Sequence, residues 1–336
     1  MARPLILFLF VVLGLGQLAD AQSRDVYTIR GIPVDERASD IREAQQNAFA
    51  AAKFIGAQQI IQRITLPTDL QAATGLTIDA ETADLLAAAV DVEEEVAGAG
   101  RYRGRLAVVF NPVNVRAFLD QFGVPYTDAT APPALIIPVS TGGLNFAWTA
   151  AWPERSSGAL APTVTSQSGL YNRGAEWTDV QAEVAVNGAR RAILAELTGT
   201  PGAYRVALTA LTAGGNRALG ETLTSATLDQ AATAAQALLD LDWKQTSIIR
   251  ETGQTMIEAT VLYTSLAEWN TLRGALARSP LVSDFQTRAV ARDGAVVAFV
   301  FAGDGSRLVS DLRDRGVTIR EEVIGWVLTS ASTAAR

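Results

Sequence analysis

The chain has 336 residues, 35 acidic and 28 basic, a formal net charge of −7, and neither cysteine nor histidine. That balance excludes binding of nucleic acid or anionic lipid through bulk charge. The two missing residue types exclude disulfides, thiolate nucleophiles, Ser-His-Asp triads, histidine acid–base catalysis and ordinary zinc sites, which leaves carboxylate chemistry or an oxygen-ligand metal site.

Residues 1–21 carry the three parts of a secretory signal peptide. Arg3 gives a positive start, an uncharged apolar run follows, and Ala19-Asp20-Ala21 is a small-x-small cleavage site. The apolar run is shorter than the roughly 20 residues a bilayer span needs. Cleavage would leave Gln22 first, with no cysteine for lipidation. No later stretch approaches a transmembrane helix. The expectation is a periplasmic protein, exported, released and soluble, with no membrane span after signal cleavage. A hydrophobic content of 49% supports real cores, and the remaining length suggests several domains.

The pattern divides the mature chain into three small α+β or α/β domains, over 22–126, 134–244 and 245–330. In the first, residues 26–32 read as a strand. Asp40 and Glu43 have the spacing of a capping box. Ile41, Ala44, Ala48, Ala51 and Ile55 then recur at helical spacing. Pro67 interrupts, a second helix covers 79–89, and strands at 92–97 and 102–110 flank the turn Gly98-Ala99-Gly100. Asn111-Pro112 opens a helix over 113–122. This strand-helix-hairpin-helix unit shares its grammar with the third domain, with no matching residues to mark a repeat.

Residues 126–133 form a linker of small, polar and proline residues. The central domain opens on a buried-strand run at 134–139. A loop-rich stretch, 140–177, holds three of the six tryptophans: Trp148, Trp152 and Trp177. The spacing then predicts a long helix over 179–197, strands at 204–211 and 218–224 around Gly214-Gly215-Asn216, and an Ala/Leu-rich helix over 229–241. In the third domain, a strand at 256–263 precedes Ser265-Leu266-Ala267-Glu268, an S-x-x-E capping box that opens a helix to Ala277. Strands at 281–290 and 296–301 meet at Asp293-Gly294, a helix covers 306–315 before Gly316, and one last strand covers 317–328. Its core candidates are Ile319, Val323, Trp326 and Leu328. The order is βαββαβ, the ferredoxin-like plan.

Several clusters invite chemistry. Glu93-Glu94-Glu95 is the densest acidic run, but neighbours on a strand point to opposite faces, so the three cannot converge on a cation, and a solvated edge strand accounts for them. Arg101, Arg103 and Arg105 would share one face and meet Glu93 and Glu95 across the hairpin. Residues 303–307 look like a phosphate cradle before a helix, yet Ser306 as N-cap explains them, and neither a P-loop nor a G-x-S-x-G elbow is present. Trp148 and Trp152, four apart, share a face whether helical or extended. With Phe146 they make an aromatic patch, read either as core or as a binding surface. The sequence assigns no catalytic, cofactor-binding or metal-ligating residue.

Six stretches carry a family likeness. They are residues 27–64, ALIIPV at 134–139, FAWTAAW from Phe146 to Trp152, APTVTS at 161–166, EATVLYTSLAEWNTLRGAL at 258–276 and GVTIREEVIGWVLTS at 316–330. Together they resemble the proteobacterial family of domain of unknown function 2066. The resemblance covers most of the mature chain and implies an exported protein with no assigned catalytic residues. The sequence therefore points to a non-catalytic envelope adaptor or assembly factor whose partner is an unidentified envelope protein. Two alternatives stand beside it: a carboxylate-dependent hydrolase of cell-wall glycan, and a small-ligand binding module using the Phe146, Trp148 and Trp152 patch.

Overall fold

A computed structural model describes residues 25–248, 254–302, 305–322 and 325–330. The leader, residues 1–21, lies outside the described residues. The fold is mixed α+β, with three sheets among the described residues. It divides into two compact units, Met1–Arg63 with Thr74–Phe122, and Ile64–Ala73 with Gly123–Arg336.

In the first unit, strands β1 (Thr28–Arg37), β2 (Ala87–Gly98) and β3 (Arg101–Phe110) form an antiparallel sheet in the order β1-β3-β2. Helix α1 (Ile41–Ile64) covers one face. Asp40 caps it, since its Oδ1 accepts the Glu43 amide at 2.9 Å, while the Glu43 carboxylate accepts from Ser39. The buried stripe is Ala44, Ala48, Ala52, Gly56 and Ile60, whereas Ile41 is exposed. Small residues at every fourth position let the helix lie close to the sheet, with Gly56 beside Phe110 and Ile32. The expected face was thus rotated by part of a turn.

Strand β1 runs beyond its expected end. A bulge between Ile29 and Ile32, with Gly31 at φ +69°, resets the register, and the strand continues through Pro33. An edge strand tolerates a proline because one side of its ladder is unpaired. Helix α2 (Pro67–Ala72) follows Pro67 in the second unit. Helix α3 (Ala80–Leu86) stops three residues short of expectation and passes directly into β2. The β2–β3 turn has positive φ at both Ala99 and Gly100, the geometry a two-residue hairpin requires. Within β3, Gly104 faces Glu95, and the Glu94 carbonyl occupies the space a Cβ would need. Replacing Gly104 by alanine is expected to destabilise the protein by about 1–3 kcal/mol. Urea denaturation checks this, and an unchanged midpoint refutes the close approach. Helix α4 (Pro112–Gln121) is capped by Asn111, whose side chain accepts the Val113 amide.

In the second unit, the central sheet has the order β5-β4-β6-β7-β8, built from β4 (Ala134–Ser140), β5 (Thr163–Thr165), β6 (Arg191–Thr198), β7 (Arg205–Thr212) and β8 (Gly215–Glu221). Strands β5, β4 and β6 are parallel, and β7 and β8 continue antiparallel. The short helix α5 (Asn145–Ala150) sits against β4. The long helix expected over 179–197 does not form. Helix α6 (Trp177–Val186) ends where Gly188 adopts φ +65°. There the Gly188 amide donates to Ala185 and the Ala189 amide to Val184, a Schellman close. The following run, Arg191–Thr198, is a central strand buried on both faces. Leu135, Ile137, Val180, Val184 and Leu194 form the core on the α6 side. Helix α7 (Leu228–Ser247) lies against β7 and β8.

The last sheet has the order β10-β11-β9-β13-β12, from β9 (Gln254–Leu262), β10 (Val282–Val290), β11 (Gly294–Ala302), β12 (Val317–Glu322) and β13 (Gly325–Ser330). Helices α8 (Leu266–Ala277) and α9 (Gly305–Asp314) share one core with it, around Trp269, Leu272, Leu276, Phe299 and Leu312. The expected single strand over 317–328 is an antiparallel hairpin instead, and β13 enters beside β9 in parallel. Ile319 and Leu328 are buried as expected and Trp326 is half-buried. Val323 lies outside the described residues, as do Gly303, Asp304 and the side chains of Ser306 and Arg307 in the expected cradle.

Ser265 caps α8 as the sequence predicts, while the return bond of the box goes to the residue before it. Ser265 Oγ accepts the Glu268 amide at 3.2 Å, and Glu268 accepts from Thr264 at 2.7 Å. Changing Ser265 to alanine is expected to cost about 1 kcal/mol. Thermal unfolding reads this, and a Tm unchanged within error counts against the cap. No helix of the described residues is long and apolar enough to cross a membrane.

Candidate functional site

The expected aromatic patch is not a surface. The structure brings Trp148 and Trp152 together edge to face, with centroids 5.4 Å apart, but both are buried, at 0% and 5% exposure. Trp148 Nε1 donates to the Ala195 carbonyl of β6 at 3.0 Å, which fixes the ring in the core. Trp152 Nε1 is buried without a hydrogen bond. Phe146 lies on the same short helix but is 89% exposed, so the three rings form no joint surface. Phe146 and Trp148, two apart on this helix, point to different sides of it, while Trp152 lies two residues beyond its last residue, Ala150.

The hairpin charges also pair differently from expectation. A shift between Val92 and Glu94 displaces the register by one residue, so Glu93 and Glu95 do not meet the arginine row. Glu93 instead accepts the Gly31 amide at 2.9 Å, and Glu95 accepts the Tyr102 hydroxyl at 2.9 Å. Burial, and then this bond, push the Tyr102 phenol up to about 12. Arg101 turns to β1 and grips both oxygens of Asp35. That hydrogen-bonded guanidinium holds the Asp35 carboxyl below its ordinary value. No group of three or more acidic side chains suited to a metal ion occurs among the described residues.

A site that sequence reasoning missed lies in the second unit. It is a cavity of about 480 Å³ between the β6–β8 side of the central sheet, the end of α7 and helix α9. Arg191 opens β6 on the sheet face opposite the α6 core, because side chains alternate along a strand. It lines the cavity yet is only 9% exposed. It forms neither a hydrogen bond nor an ion pair with any described residue, so no carboxylate oxygen of the described residues lies within 4.0 Å of it. Burial lowers its pKa, and Asp314 opposes that shift more than any other group. A guanidinium remains charged under such a load.

The carboxylates of the cavity differ in their partners. Asp242 of α7 receives Arg217 in a two-pronged pair, at 2.9 and 3.1 Å. Asp311 of α9 accepts Arg315 Nε on both oxygens, at 3.0 and 2.9 Å, with both side chains almost fully buried. The Arg315 guanidinium stands 5.8 Å from the centre of the Trp243 ring, a cation–π distance, and its Nη2 has no hydrogen-bond partner. Asp314 has no such partner. Burial raises its pKa, with Asp311 adding to the shift and Arg191, Arg217 and Arg313 opposing it. Among the described residues, the cavity therefore holds a buried cation, Arg191, and a carboxylate, Asp314, without ion-pair partners, beside two satisfied ion pairs. It is of a size and polarity suited to a small ligand.

The sequence hides this site because the helical spacing over 179–197 places Arg191 inside a helix. The usable signal was Asn187-Gly188, a helix stop, followed by an arginine at the head of an apolar strand-sized run.

No family model matches the chain, and no curated protein does. A solved structure similar over part of its length is TolB from Acinetobacter baumannii. The two share 17% identity over 38% of this chain and 32% of that chain, with a TM-score of 0.24. The chain thus matches about a third of that structure, and a likeness of this size carries nothing about fold or function.

Proposed function

We propose that the protein is an exported, periplasmic, non-catalytic binding protein that acts as an envelope adaptor, with the α7–α9 cavity as its recognition site. The observation that carries this reading is Arg191, a cation nine-tenths buried, unpaired, and facing a cavity. Burying an unpaired charge is costly, and a ligand or partner group that completes it recovers that cost. The leader-like residues 1–21 and the resemblance to the family of domain of unknown function 2066 support the location. The final sheet is read as a variant of the ferredoxin-like βαββαβ plan, in which β10, β11 and β9 keep the order of that plan and β13 is inserted in parallel between β9 and the strand after α9, β12.

The alternative of a carboxylate-dependent hydrolase needs two free carboxylates, one acid and one base or nucleophile. Asp242 and Asp311 are each tied to an arginine. Among the described carboxylates that line the cavity, only Asp314 has no such partner, which favours binding over hydrolysis at this site.

A photo-crosslinking residue at exposed Ser310, on the cavity rim, tests the reading in intact cells. Intact-mass spectrometry is expected to find an adduct in the periplasmic fraction, and the Arg191→Gln background is expected to remove it. Absence of any adduct, or a chain that stays in the cytoplasm with its leader uncut, refutes the proposal.

A further inference from the structure

Arg191 and Asp314 line the same cavity with opposite charges and do not touch. Each is the leading charged influence on the other. Ordinarily two such groups close into an ion pair, as Asp311 and Arg315 do a few residues away. Here no ion pair forms within 4.0 Å, and both groups face the cavity. A ligand in the cavity that reaches both is asked for a negative end at Arg191 and a positive end at Asp314.

The remaining charges of the wall sharpen the choice. Arg217 is satisfied by Asp242, and Asp311 by Arg315. Arg313, exposed on α9, is the further cation of the wall. A dianion such as phosphate would gain Arg191 but meet Asp314 at close quarters. A simple cation would gain Asp314 and be repelled by Arg191. A molecule carrying both a carboxylate and an ammonium satisfies both without leaving a like charge opposed. Thr246, Ser247, Ser310 and Asn216 add neutral polar groups, and the Trp243 ring gives an apolar wall.

We infer that the cavity binds a zwitterion of the amino-acid class, a free amino acid or short peptide with unblocked ends, its carboxylate on Arg191 and its ammonium on Asp314. This deepens the binding-protein reading and rests on it.

Titration calorimetry on the full mature chain at neutral pH tests the inference. The probes are L-alanine, dialanine and trialanine, N-acetyl-dialanine, dialanine amide and inorganic phosphate. At least one of the three free alanine probes is expected to bind, and Trp243 fluorescence is expected to change with it. Each single block on dialanine is expected to weaken binding at least tenfold relative to the free dipeptide, or to leave none if a different length binds. Asp314→Asn is expected to remove the preference for a free amino end, and Arg191→Gln the preference for a free carboxyl end. The blocked probes on the unaltered protein keep the test decisive if either variant fails to fold. The inference falls if none of the three free probes binds, if the blocked dipeptides bind as well as the free one, or if phosphate binds more tightly than all three. Should the Ser310 adduct persist while every free probe fails, the ligand class is wrong and the binding-protein reading stands. Should both fail, the reading falls with it.

Discussion

Replacing Trp148 by alanine is expected to destabilise the protein by about 3–5 kcal/mol, the cost of deleting a fully buried indole and leaving its space unfilled. In a unit of this size that corresponds to a fall in Tm of roughly 10 °C. The ring is 0% exposed, edge-on to Trp152, and tied by Nε1 to the carbonyl of Ala195 in the middle of β6. Alanine removes the apolar burial and the aromatic contact together. Phenylalanine at the same position keeps most of the volume and loses the hydrogen bond, and a smaller cost of about 1–3 kcal/mol is expected. Alanine at Phe146, which is 89% exposed, is expected to change stability by less than about 0.5 kcal/mol. Differential scanning calorimetry on the three variants gives the comparison. Equal effects at Trp148 and Phe146 would sink the placement of Trp148 in the core.

The second large effect concerns the cavity charges. Converting Arg191 to methionine together with Asp314 to leucine is expected to raise stability by about 1–4 kcal/mol, as when buried ionic groups give way to apolar ones of similar volume. The same change is expected to abolish ligand binding. The sign follows from Asp314. Its pKa in the folded chain lies above the ordinary 3.8, because burial outweighs the attraction of Arg191. The folded state therefore holds that proton more tightly than the unfolded state does. Stability from this group is present in acid and is lost as pH rises from about 3.8 through the raised value. Asp314→Asn alone is accordingly expected to be more stable than the parent near neutrality, with the advantage shrinking as the pH falls through the raised value toward about 3.8 and no longer changing below it. Arg191, Arg217 and Arg313 pull the group down while Asp311 pushes it up, so the comparison is made at fixed ionic strength. A stability difference that does not vary with pH would refute the burial of Asp314.

Much of the architecture was legible because the punctuation was local. The turn at Ala99-Gly100 takes positive φ at both residues, and the Ser265 box caps its helix as read. The failures have a common physical root. Residues 191–198 hold two alanines, two leucines and a glutamate, good helix formers, yet form a strand because they sit between β4 and β7 with both faces covered. Continuous apolar runs do not reveal which environment will claim them. Residues 317–328 read as one strand because no Asn-Gly or Asp-Gly pair marks a turn there. For Trp148 and Trp152 the shared face was readable from their spacing, whereas the direction of that face depends on β6. The cavity lay further out of reach. Its arginine comes from β6, its tryptophan from the end of α7 and its free carboxylate from α9. Only tertiary packing brings such distant positions together, and no spacing in a single sequence encodes it.

The acidic run on β2 has a consequence beyond its own hairpin. This strand is an outer edge of the first unit's sheet, and Val92 and Val96 on it are exposed. An unpaired edge of that kind is a template on which a second copy can zip, the first step toward cross-β aggregates. Glu93, Glu94 and Glu95 stand between those valines, and the bulge at Glu93 breaks the flat run of amides a newcomer would need. Antiparallel docking of two such edges would set one acidic run against the other. Charges at such a position disfavour edge-to-edge self-association, an effect that needs no ligand and grows with the local concentration of folding chains.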